Sequence, residues 1–182
     1  WMSGIETDNA DSDQMRQYAR MLSLSGGGFV LTCQMQTPNG EVTLRQSVDR
    51  LCAMGALRAA MEAEGWLAGH VVNHALACCV LLPSENTAYQ NRIVAVEKAN
   101  QLYSSLSPEI QSMVRIGVGA WKAQPEELNI SYRESLRALY VRDSLSPINH
   151  IDDVTDGQRS QNPFARLERP LADSICRCDI AA

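Results

Sequence analysis

The chain has 182 residues, of which 45% are hydrophobic, and its formal net charge is -5. This length suits one sizeable domain, or one domain with helical extensions. The negative charge argues against direct nucleic-acid binding by this chain, because phosphate recognition needs clustered lysine and arginine. The sequence shows no signal peptide and no apolar run of membrane-spanning length, so we expect no membrane contact and a reducing cytoplasm.

The first part of the chain predicts a helix followed by a strand. Residues 11–23 place apolar side chains on one side, as in a short linker helix. Glycines at residues 26–28 break that pattern, and we interpret them as a flexible lead into the strand. Apolar and polar residues then alternate over residues 29–36, which predicts a half-buried strand.

Two capping boxes predict the starts of two amphipathic helices. Thr43 with Gln46 begins the first, which is expected to end at Gly65. Thr87 with Gln90 begins the second, which Pro108 interrupts. The predicted buried faces are Leu44, Val48, Leu51, Met54, Leu57 and Met61 in the first helix, and Tyr89, Ile93, Val96, Tyr103 and Leu106 in the second.

A β-hairpin is predicted between these helices, with arms at residues 67–73 and 75–82. The second arm has no polar face, so we expect a central strand that is covered on both sides. Cys78 and Cys79 are neighbours in it and should point to opposite faces, which makes them poor disulfide partners for each other. Together with Cys33 we interpret them as small hydrophobic residues.

The last part of the chain predicts strand, helix, strand and a final amphipathic stripe. Residues 114–118 alternate into a strand, and Pro125 with two acidic residues begins a helix. A short strand is expected at residues 148–151, and residues 155–163 are interpreted as a linker. The apolar positions of the predicted helix are Leu128, Tyr132, Ser135 and Leu139, and those of the final stripe are Phe164, Leu167, Leu171, Ile175 and Cys178.

The element order predicts an α+β fold, in which helices pack on a mostly antiparallel sheet and further helices flank the domain at both ends. We divide the chain into a linker helix at residues 1–25, the domain at residues 26–154, and a second linker with the start of a helix at residues 155–182. The start at Trp1 and the end at Ala182 suggest a piece of a longer protein.

Three sequence marks, in this order, resemble the GGDEF family of bacterial nucleotide cyclases and its non-catalytic relatives. They are His74-Ala-Leu-Ala-Cys78 at the place of the family signature, then Arg115-Ile-Gly-Val-Gly119, then Ser131-Tyr-Arg-Glu-Ser-Leu-Arg-Ala-Leu139. The pattern is most similar to the GGDEF-like segments of AraC-type transcription regulators, including those fused to receiver or membrane sensor domains. The resemblance implies a cyclase-like fold with the signature in the hairpin turn, and a lead-in to a DNA-binding domain at residues 168–175.

The resemblance also implies that the catalytic groups are missing. A cyclase holds Mg²⁺ with carboxylates, yet residues 29–40 contain no Asp or Glu, and Leu76 and Ala77 replace the acidic residues of the signature. The Arg-x-x-Asp inhibitory site of cyclases would fall on residues 65–68 and is absent. We therefore expect no catalytic residue, no cofactor, no metal and no cyclic di-GMP at the usual site.

Two alternatives rest on residues near the hairpin. In the first, a small-molecule or nucleotide sensor without turnover uses His70, Asn73 and His74 to line a pocket. In the second, a divergent cyclase draws displaced carboxylates from Asp49 or Glu85. A zinc site at His70, His74 and Cys78 would need a helix, and this segment predicts a hairpin.

The sequence therefore predicts a non-catalytic signal-relay and dimerisation domain of a bacterial transcription regulator of the AraC class. It would couple an upstream sensor to a downstream helix-turn-helix domain. The expected partners are a second copy of the chain, because dimeric regulators read paired half-sites, and the other domains of the same regulator.

Overall fold

The computed structural model describes residues 26–36, 43–71, 75–82, 87–141 and 146–154, together with positions 17 and 21. Five described strands form one sheet in the order β2-β3-β1-β4-β5. The pairs β2–β3, β3–β1 and β1–β4 are antiparallel, and β4–β5 is parallel. The strands are β1 Gly28–Met35, β2 Leu67–Val71, β3 Ala75–Leu81, β4 Val114–Val118 and β5 Ile148–His150. The predicted α+β class and mostly antiparallel sheet are confirmed.

Four α-helices lie in the described ranges: α1 Leu44–Ala63, α2 Ala88–Ser105, α3 Pro108–Gln111 and α4 Leu128–Leu139. Both predicted capping boxes are present. In α1 the Thr43 side chain accepts the Gln46 backbone N–H, and the Gln46 side chain accepts the Thr43 backbone N–H. Thr87 and Gln90 form the same pair of hydrogen bonds at the start of α2. Gly65 follows α1 with a φ of 75°, the left-handed conformation that favours glycine after a helix. Single 3₁₀ turns precede α4 at Pro125–Glu127 and follow β5 at Ile151–Asp153.

Strand β1 lies in the middle of the sheet, and both of its faces are buried. Phe29 and Leu31 face a large apolar cluster built with α1 and α2. Val30 faces a smaller cluster built with Leu128 and Tyr132 of α4. The prediction of a half-buried strand is therefore wrong, because α4 covers the face that carries the polar residues.

The cysteines are distributed as the alternation of strand side chains requires. Cys78 belongs to the large cluster and Cys79 to the small one, which confirms that they point to opposite faces of β3. Cys33, Cys78 and Cys79 are free and buried, whereas Cys52 is free and exposed on α1. Burial raises the pKa of all three buried thiols, because the thiolate would lose its hydration.

The predicted apolar faces of α1 and α2 are wrong in their first halves. In α1, Leu44, Val48 and Leu51 are exposed; in α2, Tyr89 and Ile93 are exposed. In α1 no residue before Ala53 is buried, whereas in α2 the alanines Ala95 and Ala99 take the buried positions, and small residues contribute little to a pattern of large apolar side chains. The buried positions are Ala53, Met54, Leu57 and Met61 in α1, and Asn91, Ala95, Ala99 and Leu102 in α2.

Gly27 and Gly28, which the sequence analysis interprets as part of a flexible lead into β1, are packed against the segment after β4. A Cβ at Gly27 would lie 2.2 Å from the ring of Trp121, so glycine leaves room for the indole. Gly28 exchanges backbone hydrogen bonds of 2.9 and 2.7 Å with Lys122. This contact joins the start of β1 to the segment after β4.

Several predictions fall outside the described residues. They are the helix at residues 11–23 (apart from positions 17 and 21), the linker at 155–163 and the final stripe at 164–178. The proposed boundaries at residues 25 and 155 therefore stay predictions. Of the helices that the structure describes, none is both long and apolar enough to cross a membrane.

Candidate functional site

The end of β1 meets the β2–β3 hairpin and the start of β4 at one edge of the sheet. Gln34 pairs with Ala75, the first residue of β3, and Met35 pairs with Val114, the first residue of β4. We call this the hairpin edge, and its described residues are 34–36, 70, 75 and 114–115. This is where the family resemblance would place the metal-binding carboxylates of a cyclase.

Among the described residues of the hairpin edge and the side chains that contact it, guanidinium groups and no carboxylates lie at the end of β1. Arg50 on α1 donates from Nη2 to the Met35 carbonyl oxygen at 3.4 Å. Arg115 on β4 donates to the Val141 carbonyl oxygen at 3.4 Å and to the side-chain oxygen of Gln36, in the amide orientation that satisfies both groups. A guanidinium stays positive at any physiological pH and has no lone pair for a metal, so this arrangement opposes a divalent cation.

The segment that resembles the signature position lies mostly inside a strand. Strand β2 ends at Val71, and β3 begins at Ala75. Of the five residues His74-Ala-Leu-Ala-Cys78, four therefore lie in β3 and are at most 1% exposed. The expectation that this segment occupies the turn is wrong for those four, because their side chains face the two apolar clusters.

The predicted ligand residues are only partly described. His70 is exposed on β2, opposite Leu76 of β3. Asn73 and His74 lie outside the described residues, so a pocket with His70 stays a prediction. Asp49 is exposed on α1, and Glu85 lies outside the described residues. No group of three His, Cys, Asp or Glu side chains within the described ranges is placed to hold a metal ion.

The second and third sequence marks contact each other directly. A Cβ at Gly117 would lie 2.0 Å from the Ser135 carbonyl oxygen, and a Cβ at Gly119 would lie 2.0 Å from the Ser131 carbonyl oxygen. Helix α4 therefore rests on β4 at a distance that only glycine permits. Gly117 and Gly119 are two positions apart and so lie on the same face of the strand, while Ser131 and Ser135 are four positions apart and so lie on the same face of the helix. The two contacts are therefore neighbours along the same interface.

Hydroxyl groups of α4 satisfy polar groups of β1 within this contact. The Val30 backbone N–H donates to Ser131 Oγ at 2.9 Å, and the Thr32 and Ser135 hydroxyl oxygens lie 2.6 Å apart. Ser135 also donates to the Tyr132 carbonyl oxygen at 2.7 Å, so Thr32 is the donor in their shared bond. The five residues that supply these groups are all buried, so each hydrogen bond avoids a desolvation penalty.

Glu134 fastens α4 to the end of β4. Its Oε2 accepts the Ala120 backbone N–H at 3.0 Å, and its Oε1 pairs with Lys122 Nζ at 2.9 Å. Both charged side chains are about four-fifths buried, which shields their pair from solvent. The Glu134 carboxylate therefore faces the sheet.

The family model of the GGDEF-like domain matches residues 7–141 of the chain. The chain belongs to the GGDEF-like domain family. The match spans β1 to β4 and α1 to α4, and so includes both the hairpin edge and the contact between α4 and the sheet. No curated protein and no solved structure gives a match.

The GGDEF-like domain holds the segment after β5 against two of its helices. Arg92 of α2 forms an ion pair with Asp153, and Ile151 and Val154 pack with Ala138 of α4. His150 is 2% exposed, and its Nδ1 accepts the Asp152 backbone N–H at 3.1 Å. Burial lowers the pKa of His150 because desolvation disfavours the imidazolium, although the Asp152 carboxylate opposes this.

The sequence pattern does not predict this anchoring of the segment after β5. Arg92 and Asp153 are separated by 61 positions, so no local pattern links them. The sequence predicts only that His150 belongs to a short strand. The anchored segment leads directly to residues 155–182, and any movement of α2 or α4 relative to the sheet changes its surroundings.

Proposed function

We propose that this GGDEF-like domain is a non-catalytic signal-relay and dimerisation domain of a bacterial transcription regulator of the AraC class. It acts in the cytoplasm, between an upstream sensor and a downstream helix-turn-helix domain. The observation that carries the proposal is the hairpin edge, where Arg50 and Arg115 lie at the end of β1 and no described residue supplies a carboxylate.

The chemistry of a cyclase explains why arginines at the hairpin edge argue against catalysis. Nucleotidyl transfer develops negative charge on phosphate oxygens, and bound Mg²⁺ neutralises that charge. Carboxylates are the side chains that hold such a cation. At the hairpin edge the guanidinium groups are engaged by backbone carbonyl oxygens, and the residues after the turn are buried in β3. This supports a domain that has lost the metal site of its catalytic relatives.

The relay part of the proposal is supported by how the chain leaves the domain. Helix α4 is joined to β1 by buried hydrogen bonds and packs closely on β4 at Gly117, and its Ala138 contacts Ile151 and Val154. A displacement of α4 therefore changes the packing of residues 151–154, because packed interiors shift between discrete arrangements and do not deform freely. This contact is a physical route from the domain to whatever follows residue 154.

A thermal-shift titration with GTP, ATP and cyclic di-GMP, each with Mg²⁺, tests the proposal. A ligand at a hundred times its Kd stabilises by about 2.7 kcal/mol. Each kcal/mol moves the Tm of a domain of this size by roughly 2–4 °C, so binding predicts a shift of about 5–11 °C. We expect no shift with any nucleotide.

A clear shift would contradict the relay proposal and favour the sensor alternative. In that case the variants His70→Ala and His74→Ala identify the site, since both residues belong to the predicted pocket. The dimerisation part has its own measurement, the mass in solution over a range of concentrations. A chain that stays monomeric at high concentration contradicts that part alone.

A further inference from the structure

The first half of α1 exposes a line of large apolar side chains. Leu44, Val48 and Leu51 are 82%, 50% and 72% exposed. Their spacings of four and three place them on one side of the helix, away from the sheet-facing residues Met54 and Leu57. A single exposed leucine is ordinary, but three aligned apolar side chains form a surface that water solvates poorly.

The same side of α1 continues with small, uncharged residues. The chain carries no charged residue at positions 51–57, and within that stretch Cys52, Gly55 and Ala56 are exposed. The ion pair between Arg58 and Glu62, with Nε and Oε1 2.7 Å apart, lies at the far end. We define the α1 stripe by Leu44, Val48, Leu51, Cys52, Gly55 and Ala59.

Among the described residues, Gly55 makes no contact that requires a glycine. A Cβ built there would meet no atom within 4 Å, and the backbone is not in the left-handed region. A glycine inside a helix costs about 1 kcal/mol relative to alanine. Glycine at this place suits the close approach of a side chain or backbone from another molecule.

We propose that the α1 stripe packs against the same stripe of a second copy of the chain, with the two helices antiparallel. The inference rests on the proposed dimerisation and names its surface. A two-fold axis through the midpoint between Leu51 and Cys52 sets Val48 opposite Gly55 of the second copy and Leu44 opposite Ala59 of the second copy. Every large side chain then meets a small one, the self-complementary pattern that a two-fold interface requires.

A second copy also fits the charge and rigidity of the stripe. The net charge of -5 makes two copies repel each other, and an uncharged stretch is where they approach at least cost. The capping box at Thr43 fixes the start of α1, so the stripe is presented on a helix that is already formed. Little ordering is therefore needed on association.

Cross-linking through the native Cys52 tests the arrangement, because the proposed axis brings the two copies of this thiol together. The chain is used with Cys176→Ser and Cys178→Ser, and a short bis-maleimide joins two thiols by two new C–S bonds. Cys33, Cys78 and Cys79 are buried and protected from the reagent. We expect a covalent dimer in good yield that disappears with Cys52→Ser.

A matched control moves the thiol to an exposed site on another helix. Tyr89 on α2 is 68% exposed, and Tyr89→Cys in the Cys52→Ser background should give no covalent dimer above the collisional level.

Disruption of the interface is tested with Gly55→Arg, because the arginine side chain fits the open space around Gly55 in the monomer. It should weaken dimerisation at least tenfold without lowering the Tm of the monomer, whereas Tyr89→Asp should leave dimerisation unchanged.

Two other results would overturn the proposal. A dimer that neither cross-links through Cys52 nor responds to Gly55→Arg assigns the interface to another surface, while leaving proposed dimerisation intact. A monomeric chain whose Cys52 is protected from maleimide shows that another segment of the same chain, such as residues 164–178, covers the stripe. The nucleotide titration does not depend on either result, so it detects a failure of the relay proposal independently of the interface.

Discussion

The contact between β4 and α4 predicts a large effect from the smallest substitution, Gly119→Ala. The backbone at Gly119 is not in the left-handed region, so alanine meets no conformational penalty there. Its Cβ, however, would lie 2.0 Å from the Ser131 carbonyl oxygen and 2.5 Å from Ser131 Oγ. These atoms belong to a helix backbone and to a short side chain, and neither can turn aside, so α4 must move away from the sheet.

The size of the effect follows from two costs. Forcing an extra carbon into a packed contact costs about 1–3 kcal/mol. Moving α4 also stretches the buried hydrogen bond from the Val30 N–H to Ser131 Oγ, and an unsatisfied buried donor costs about 1–3 kcal/mol more. At roughly 2–4 °C per kcal/mol, the sum of about 2–6 kcal/mol lowers the Tm by roughly 4–24 °C.

Calorimetry or urea unfolding of the two proteins measures this difference. Gly55→Ala is the matched control, because it adds the same methyl group to a glycine with no atom within 4 Å of the new Cβ. At a concentration where the chain is monomeric, Gly55→Ala should raise the stability by up to about 1 kcal/mol. If Gly119→Ala were as stable as the parent chain, the close contact between α4 and the sheet would be refuted.

Three further predictions concern buried polar groups. Ser131→Ala should destabilise by about 1–3 kcal/mol in urea unfolding, because the Val30 N–H loses its acceptor, and no loss would contradict that hydrogen bond. At a concentration where the chain is monomeric, maleimide should modify Cys52 and leave the three buried cysteines unmodified, because burial raises the pKa of their thiols; mass spectrometry of the peptides measures the modification. Burial lowers the pKa of His150 below 6.5, so the unfolded chain binds a proton first as the pH falls. Stability should therefore decrease below about pH 6.5, and His150→Asn, which keeps an acceptor for the Asp152 N–H, should flatten that dependence.

The fold was predictable where the chain carries strong local signals. The pairs Thr43 with Gln46 and Thr87 with Gln90 located the starts of α1 and α2, and the unbroken apolar run in β3 indicated a strand covered on both sides. The predicted buried face was wrong in the first half of each helix, although Met54, Leu57 and Met61 of α1 are buried as predicted. Large side chains dominate a periodic pattern, but a helix packed closely on a sheet contacts it through residues such as Ala95 and Ala99.

The candidate site was predictable only in what it lacks. The absence of acidic residues from β1 is visible in the sequence, whereas the approach of Arg50 and Arg115 to the end of that strand depends on contacts between distant elements. The same limit applies to Glu134, whose partner Lys122 lies 12 positions away in the segment after β4. The order of the second and third sequence marks was informative because Gly117 and Gly119 of the second contact Ser135 and Ser131 of the third.

The assay of nucleotide cyclisation tests the central claim most directly. The chain, at high concentration, is incubated with GTP and either Mg²⁺ or Mn²⁺, and cyclic dinucleotides and pyrophosphate are quantified against a protein-free blank. The account predicts no product above the blank with either metal, because arginines lie at the end of β1 where a cyclase needs carboxylates. Protein-dependent accumulation of a cyclic nucleotide would show that a working metal site exists and would contradict the proposed non-catalytic role.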